Sequence, residues 1–244
     1  MTFHRLLVMA GMGLIITGCA VTSVDESASV SAEAVTLGAG GRPAAVPWSR
    51  SAVYGRNGMA ATAHPLASQV AIDILKQGGS ALDGAIAANA ALGLMEPTGN
   101  GIGGDIFFII WDPETEQLYG YNGSGRAPLE RSLIDLKSQI ASLRESGAMP
   151  EDMLGIPQRG SLPVTVPGTV DGWFAAHARF GKLPMSDVLA PTIRYAREGF
   201  PITPVIAYYF GRNLNAFREQ EALIEELDNA AALWFPEGKT PGAG

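Results

Sequence analysis

Side chains able to do chemistry are few in this sequence. Its 244 residues include one Cys and three His, at positions 4, 64 and 177. A lone Cys makes no internal disulfide, and so thin a supply of thiol and imidazole points away from a His/Cys zinc site. No metal and no cofactor is expected. Thr62-Ala63-His64 sets a hydroxyl beside an imidazole, but Pro65 and a helical apolar pattern follow, so the triplet reads as a helix lead-in. His177 shares a helical stretch with Trp173 and Phe174 and reads as a boundary residue. No G-x-S-x-G nucleophile elbow occurs.

Two features of the loops remain. Gly99, Gly101 and Gly104 spell G-x-G-x-x-G. A phosphate cradle needs a strand before those glycines and a helix after them, so that the helix amino terminus faces the anion. Here a small-residue helix precedes and an apolar strand follows, so a nucleotide site is rejected. Gly103 and Gly104 then read as residues that let the chain turn tightly from helix into strand. Arg126 is the charge most suited to a ligand. It stands among turn residues, Asn122-Gly123-Ser124-Gly125-Arg126-Ala127-Pro128, where a guanidinium can clamp a carboxylate through two parallel hydrogen bonds. The alternative is a surface Arg paired with Asp105 or Glu130.

The elements that must position these residues are legible in part. Ala67, Val70, Ala71, Ile74 and Leu75 follow the helical period over about 66–77, and Gly78-Gly79 supply the stop. Ser80 and Asp83 form a capping-box pattern for a second helix over about 81–94. Its many Ala and Gly residues require another element to approach closely. Ile106–Trp111 is apolar without alternation, which suggests a strand buried on both faces. The turn 112–116 and a returning strand over 117–121 complete a hairpin. Further helices are expected over 132–145, from Val170 to a stop at Gly181, and from a Ser186 cap through Glu198 with a break or kink at Pro191. A last helical pair spans roughly 204–217 and 219–233. The sum is an α+β layout with a helix-rich second half.

Composition narrows the function classes. Hydrophobic residues make up 47% and charged residues 17%, which excludes a disordered or coiled-coil chain. A net charge of −7 argues against nucleic acid as a partner. His4 and Arg5 precede the apolar run 6–16, which is short of the roughly 20 residues of a membrane-spanning helix and fits an export signal. Ile16-Thr17-Gly18-Cys19 resembles a bacterial lipobox, with Cys19 as the lipidated first residue; a plain signal with a chance Cys is the alternative. The expected organisation is a lipoprotein signal peptide over 1–18, a flexible tether over 19–47 and a folded part over 48–244. No Asp adjoins Cys19, so a periplasmic or outer-membrane lipoprotein is expected, held to the membrane by its lipid.

The stretch NGMAATAHPLASQVAIDILKQGGSALDGAIAANAALGLMEPTGNGIGGDIFFIIWD resembles the amino-terminal signature of the gamma-glutamyltransferase (gamma-glutamyltranspeptidase) family. PVTVPGTVDGWFAAHARFGKLPMSDVLAPTIRYAREGFPIT is similar to its second block. The resemblance runs from about Tyr54 to the end of the chain. It implies a four-layer αββα sandwich of the N-terminal-nucleophile hydrolase type. It also implies a proenzyme that cuts itself into a large and a small subunit. The new amino-terminal threonine of the small subunit attacks a γ-glutamyl amide such as glutathione, its α-amine serving as local base.

Two departures follow from that resemblance. The threonine-bearing segment has no counterpart, since the sequence ends Lys239-Thr240-Pro241-Gly242-Ala243-Gly244. The chain therefore reads as part of a large subunit with no catalytic nucleophile of its own. Well-known transpeptidases carry an R-E-M-A-P type run with the carboxylate-binding Arg two residues before the place of Arg126. The Ser124-Gly125-Arg126-Ala127-Pro128 register resembles another branch, which includes cephalosporin-acylase-like members. Two hypotheses result: the large-subunit part of an exported γ-glutamyl hydrolase or transferase, or acylase-like relative; and a non-catalytic lipoprotein, a relic or binding module. Half a sandwich would leave apolar faces and strand edges uncovered, so poor solubility is expected.

Overall fold

The computed structural model describes residues 53–244 except Glu226. The expectations for residues 1–18, Cys19 and the tether over 19–47 lie outside the described residues.

Helix α1, Pro65–Lys76, starts where His64 caps it: the His64 Nδ1 accepts the Leu66 N–H at 3.2 Å, and Pro65 fills the first helical position. It stops at Gly78, whose φ of +92° is the left-handed conformation a helix end favours. Helix α2, Ala81–Met95, begins with the expected capping box. The Ser80 hydroxyl accepts the Asp83 N–H, and the Asp83 carboxylate accepts the Ser80 N–H at 2.8 Å. Its small residues do what the sequence required: a Cβ on Gly84 would lie 3.3 Å from the Ala71 carbonyl oxygen, so α1 packs backbone-close on α2.

Strands β1, Ile106–Asp112, and β2, Gln117–Gly123, form the antiparallel hairpin, Ile106 opposite Gly123 and Asp112 opposite Gln117. Helix α3, Leu133–Glu145, buries no residue; α4 spans Thr169–Phe180 and α5 Met185–Glu198. Helix α6, Pro204–Glu219, is capped by Thr203, and α7 spans Leu227–Trp234. The main core gathers α1, α2, Trp173 and Ala176 of α4 and Val188 of α5, with Ile106, Phe108 and Ile110 of the hairpin against it. A smaller cluster of Ile206, Phe210 and Phe235 lies at the carboxyl-terminal end.

Three expectations are corrected. β1 is not covered on both faces: Ile106, Phe108 and Ile110 pack on the core, while Phe107, Ile109 and Trp111 stand 64, 76 and 59% exposed. Strand side chains alternate, and no layer among the described residues covers the outer face. Helix α5 starts at Met185, directly after Pro184 and with no side-chain cap, so Ser186 lies inside it and does not cap it, and the helix runs through Pro191 unbroken. Val188 and Pro191 are buried there, so packing outweighs the roughly 3 kcal/mol a proline costs inside a helix. The stretch 219–233 is a 3-10 turn, Glu221–Leu223, followed by the short α7. Its helix is interrupted because Glu225 turns out to bind the Ser161 N–H and hydroxyl at 2.9 and 2.8 Å.

Candidate functional site

Three segments far apart in sequence meet at one end of the hairpin: the glycine loop 99–104, the exit from β2 at 124–128, and the extended run 163–168 leading into α4. Thr169, buried at the start of α4, fastens the first to the third. Its hydroxyl donates to the Gly104 carbonyl at 2.8 Å, and the Gly168 and Thr169 N–H groups reach the same oxygen at 3.0 and 3.1 Å. The same run also packs against the end of β2, where Gly168 has to be glycine, since a Cβ there would lie 2.1 Å from the Gly123 carbonyl oxygen.

Asp105, the first residue after the glycines, fastens the second segment. Its Oδ1 accepts the Gly125 N–H at 2.8 Å and the Thr165 hydroxyl at 3.2 Å, and its Oδ2 accepts the Ser124 hydroxyl at 3.2 Å. The Gly125 amide holds this carboxyl below its ordinary value; partial desolvation opposes the shift, and the two hydroxyls reinforce it.

Arg126 follows directly. Its backbone carbonyl accepts the Val166 N–H at 3.0 Å, while its side chain is exposed and has no hydrogen-bond or ion-pair partner among the described residues. The pairing with Asp105 or Glu130 left open by the sequence is not formed among the described residues; the Asp105 oxygens are taken up by Ser124, Gly125 and Thr165. What the arrangement offers is an unpaired guanidinium on a tethered backbone, able to receive a carboxylate.

Behind the loop, α2 supplies one amide side chain amid its small residues. Asn89 Oδ1 accepts the Trp173 indole N–H at 2.9 Å, and Asn100 of the glycine loop donates through Nδ2 to the Asn89 carbonyl at 2.8 Å. Helix α2 thus holds both the loop and α4. Asp83, fully buried, takes the Lys182 and Leu183 N–H groups at 2.9 and 3.0 Å and sets the start of α5. His177 donates from Nε2 to the Leu183 carbonyl at 2.7 Å, which makes it a structural boundary residue as read. Thr62 donates to the His64 carbonyl at 2.7 Å within the lead-in to α1.

The glycine loop departs from its reading. None of Gly99, Gly101, Gly103 or Gly104 has a positive φ, and a Cβ on Gly101 or Gly103 would meet nothing within 4 Å among the described residues. A tight turn is therefore not why they are glycine. The role of Asp105 has no signature in the sequence, whereas Asn89 stands out as the lone amide in the small-residue helix α2. Among the described residues no group of three or more His, Cys, Asp or Glu is placed to hold a metal, and no helix is long and apolar enough to cross a membrane.

The family model described as Gamma-glutamyltranspeptidase matches residues 67–244, which includes every segment of this site after the α1 cap. The chain belongs to the gamma-glutamyltranspeptidase family. Over 193 residues, 79% of the chain, it is 33% identical to a glutathione hydrolase-like proenzyme of Bacillus subtilis, of which it covers 33%. A glutathione hydrolase proenzyme of the same organism is 36% identical over 163 residues, 63% of this chain and 25% of that protein. The crystal structure of a cephalosporin acylase from Bacillus halodurans superposes with a TM-score of 0.69 at 38% identity, over 83% of this chain and 35% of the acylase. The chain thus spans about a third or less of the length of these relatives. Its α+β arrangement is a partial αββα sandwich of the gamma-glutamyltranspeptidase type, the helices and one hairpin of the large-subunit part.

Proposed function

We propose that this chain is the large-subunit part of an exported gamma-glutamyltransferase-family enzyme that hydrolyses or transfers γ-glutamyl groups of glutathione-type substrates. In this reading the complete proenzyme cleaves itself, and the catalytic threonine begins a small-subunit segment outside these 244 residues. Its hydroxyl attacks the amide carbonyl, its α-amine takes the proton, and the acyl group passes to water or to an amine. Support for a covering second sheet comes from the outer face of the hairpin, which is too apolar to be a final surface.

The observation that carries the reading is Arg126: exposed, without a side-chain partner among the described residues, its backbone tethered on both sides, at the meeting point of two family blocks. A γ-glutamyl group presents an α-carboxylate, and the guanidinium matches it with two parallel N–H groups. Replacing Arg126 by Ala in the complete enzyme should raise KM for glutathione, a loss of about 1–3 kcal/mol in kcat/KM. Unchanged kinetics would return Arg126 to the role of a solvated surface charge.

A second reading, an acylase acting on another amide, is favoured by the 38% identity to the cephalosporin acylase. Preferential release of an acyl group other than γ-glutamyl would select it. For location, we propose that residues 1–18 are a lipoprotein signal, that Cys19 carries the lipid and that 19–47 form the tether of a periplasmic or outer-membrane protein. A Cys19→Ser variant should leave the membrane fraction, and retention there would contradict the lipid anchor.

A further inference from the structure

Among the described residues the Arg126 side chain has no partner, but its backbone is held. Three restraints act within one residue of it: the Gly125 N–H is held by Asp105 at 2.8 Å, the Arg126 carbonyl by the Val166 N–H at 3.0 Å, and Gly125 itself lies so close to the run 163–168 that a Cβ would sit 1.9 Å from the Val166 carbonyl oxygen. Asp105 is common to all three segments. Its carboxylate binds Ser124, Gly125 and Thr165, and its backbone carbonyl lies 3.1 Å from the Thr169 hydroxyl. A carboxylate so close in space to an arginine loop would ordinarily pair with the guanidinium and cancel it. Here neutral N–H and O–H donors occupy its oxygens, so the loop is fixed and the cation is left unspent.

We propose that Asp105 is the positioning residue for anion recognition by Arg126: it sets where the guanidinium starts and thereby selects substrates whose carboxylate falls within its fork. The proposal rests on the reading of Arg126 as a carboxylate clamp. Holding a charged donor in place before the ligand arrives removes the ordering cost from binding. Loss of Asp105 should therefore weaken binding of carboxylate-bearing substrates without altering the reacting groups.

The test uses the complete processed enzyme and two amides with the same leaving group, one γ-glutamyl and one 4-aminobutanoyl, which differ only by the α-carboxylate. Asp105→Ala should raise KM for the γ-glutamyl amide about tenfold with kcat within about twofold, and leave the 4-aminobutanoyl amide nearly unchanged. Asp105→Asn keeps one acceptor oxygen for the Gly125 N–H and should recover most of the loss. In Arg126→Ala the further change Asp105→Ala should add little, because its effect runs through the arginine. Should Asp105→Ala fail to fold, Thr165→Val and Ser124→Ala each remove one bond and should each give a smaller change of the same kind. An Arg126→Ala effect with none from Asp105→Ala or the milder pair overturns the positioning role alone. Equal losses on both amides overturn it in favour of a purely structural role. No effect of Arg126→Ala overturns both readings together.

Discussion

At the scale of single residues, polar groups in this chain mostly settle backbone. Asp83, Asp105 and Glu225 each spend a carboxylate on N–H groups from a distant segment, and Asn89 does the same for an indole. His64 differs. Its Nδ1 caps α1, so its proton sits on Nε2, which is buried and has no partner among the described residues. Burial pushes the imidazole below its ordinary value. The folded protein therefore takes up a second imidazole proton, at the capping Nδ1, less readily than the unfolded chain, and stability should fall as pH drops below about 6.5 toward the folded-state value. The carboxyls of Asp105, Asp135 and Glu225 are also lowered, and their contribution is lost only further down, below about 4. His64→Asn retains a capping oxygen and should flatten the loss of melting temperature between pH 7 and pH 5. An equally steep loss in the variant would place the acid sensitivity elsewhere.

The hairpin makes the corresponding argument at the scale of elements. Its inner residues Ile106, Phe108 and Ile110 meet the core, whereas Phe107, Ile109, Trp111 and Leu118 face outward together. If a second sheet covers that face in the complete protein, Ile109→Lys buries a charge and should cost about 3–5 kcal/mol. Glu114→Lys in the exposed turn should stay within about 0.5 kcal/mol. A neutral Ile109→Lys would mean the face remains in water. Local patterns made α1, α2 and the hairpin legible beforehand, because caps, periodicity and glycine stops act within a few residues. The interruption after Leu223 was not, since Glu225 answers to Ser161, 64 positions away. The same holds at the site: the identity of Arg126 and its turn setting could be read, but the choice of Asp105 to bind Gly125 rather than the guanidinium depends on how the run 163–168 docks. The apolar run of β1 predicts burial on both faces because a sequence shows what a face favours, and the exposed Phe107, Ile109 and Trp111 show that one face stays open among the described residues.

At the scale of the whole molecule, the described residues supply a main core on α2, one hairpin and a polar junction at its end, a partial sandwich of the family's type. The chain covers 33% of one glutathione hydrolase-like relative and 35% of the acylase structure, while the family match extends over 67–244. The outer face of the hairpin is apolar and exposed, and Gly101 and Gly103 of the glycine loop have open space beside them among the described residues. The central claim is that this chain works as the large subunit of a self-processing γ-glutamyl enzyme. The most direct measurement is to purify the protein that carries this chain together with any downstream segment and follow, in one time course, its size on a denaturing gel and glutamate release from glutathione. One band should become two, and glutamate release should rise in step with cleavage. A single uncleaved chain that releases no glutamate would contradict the central claim.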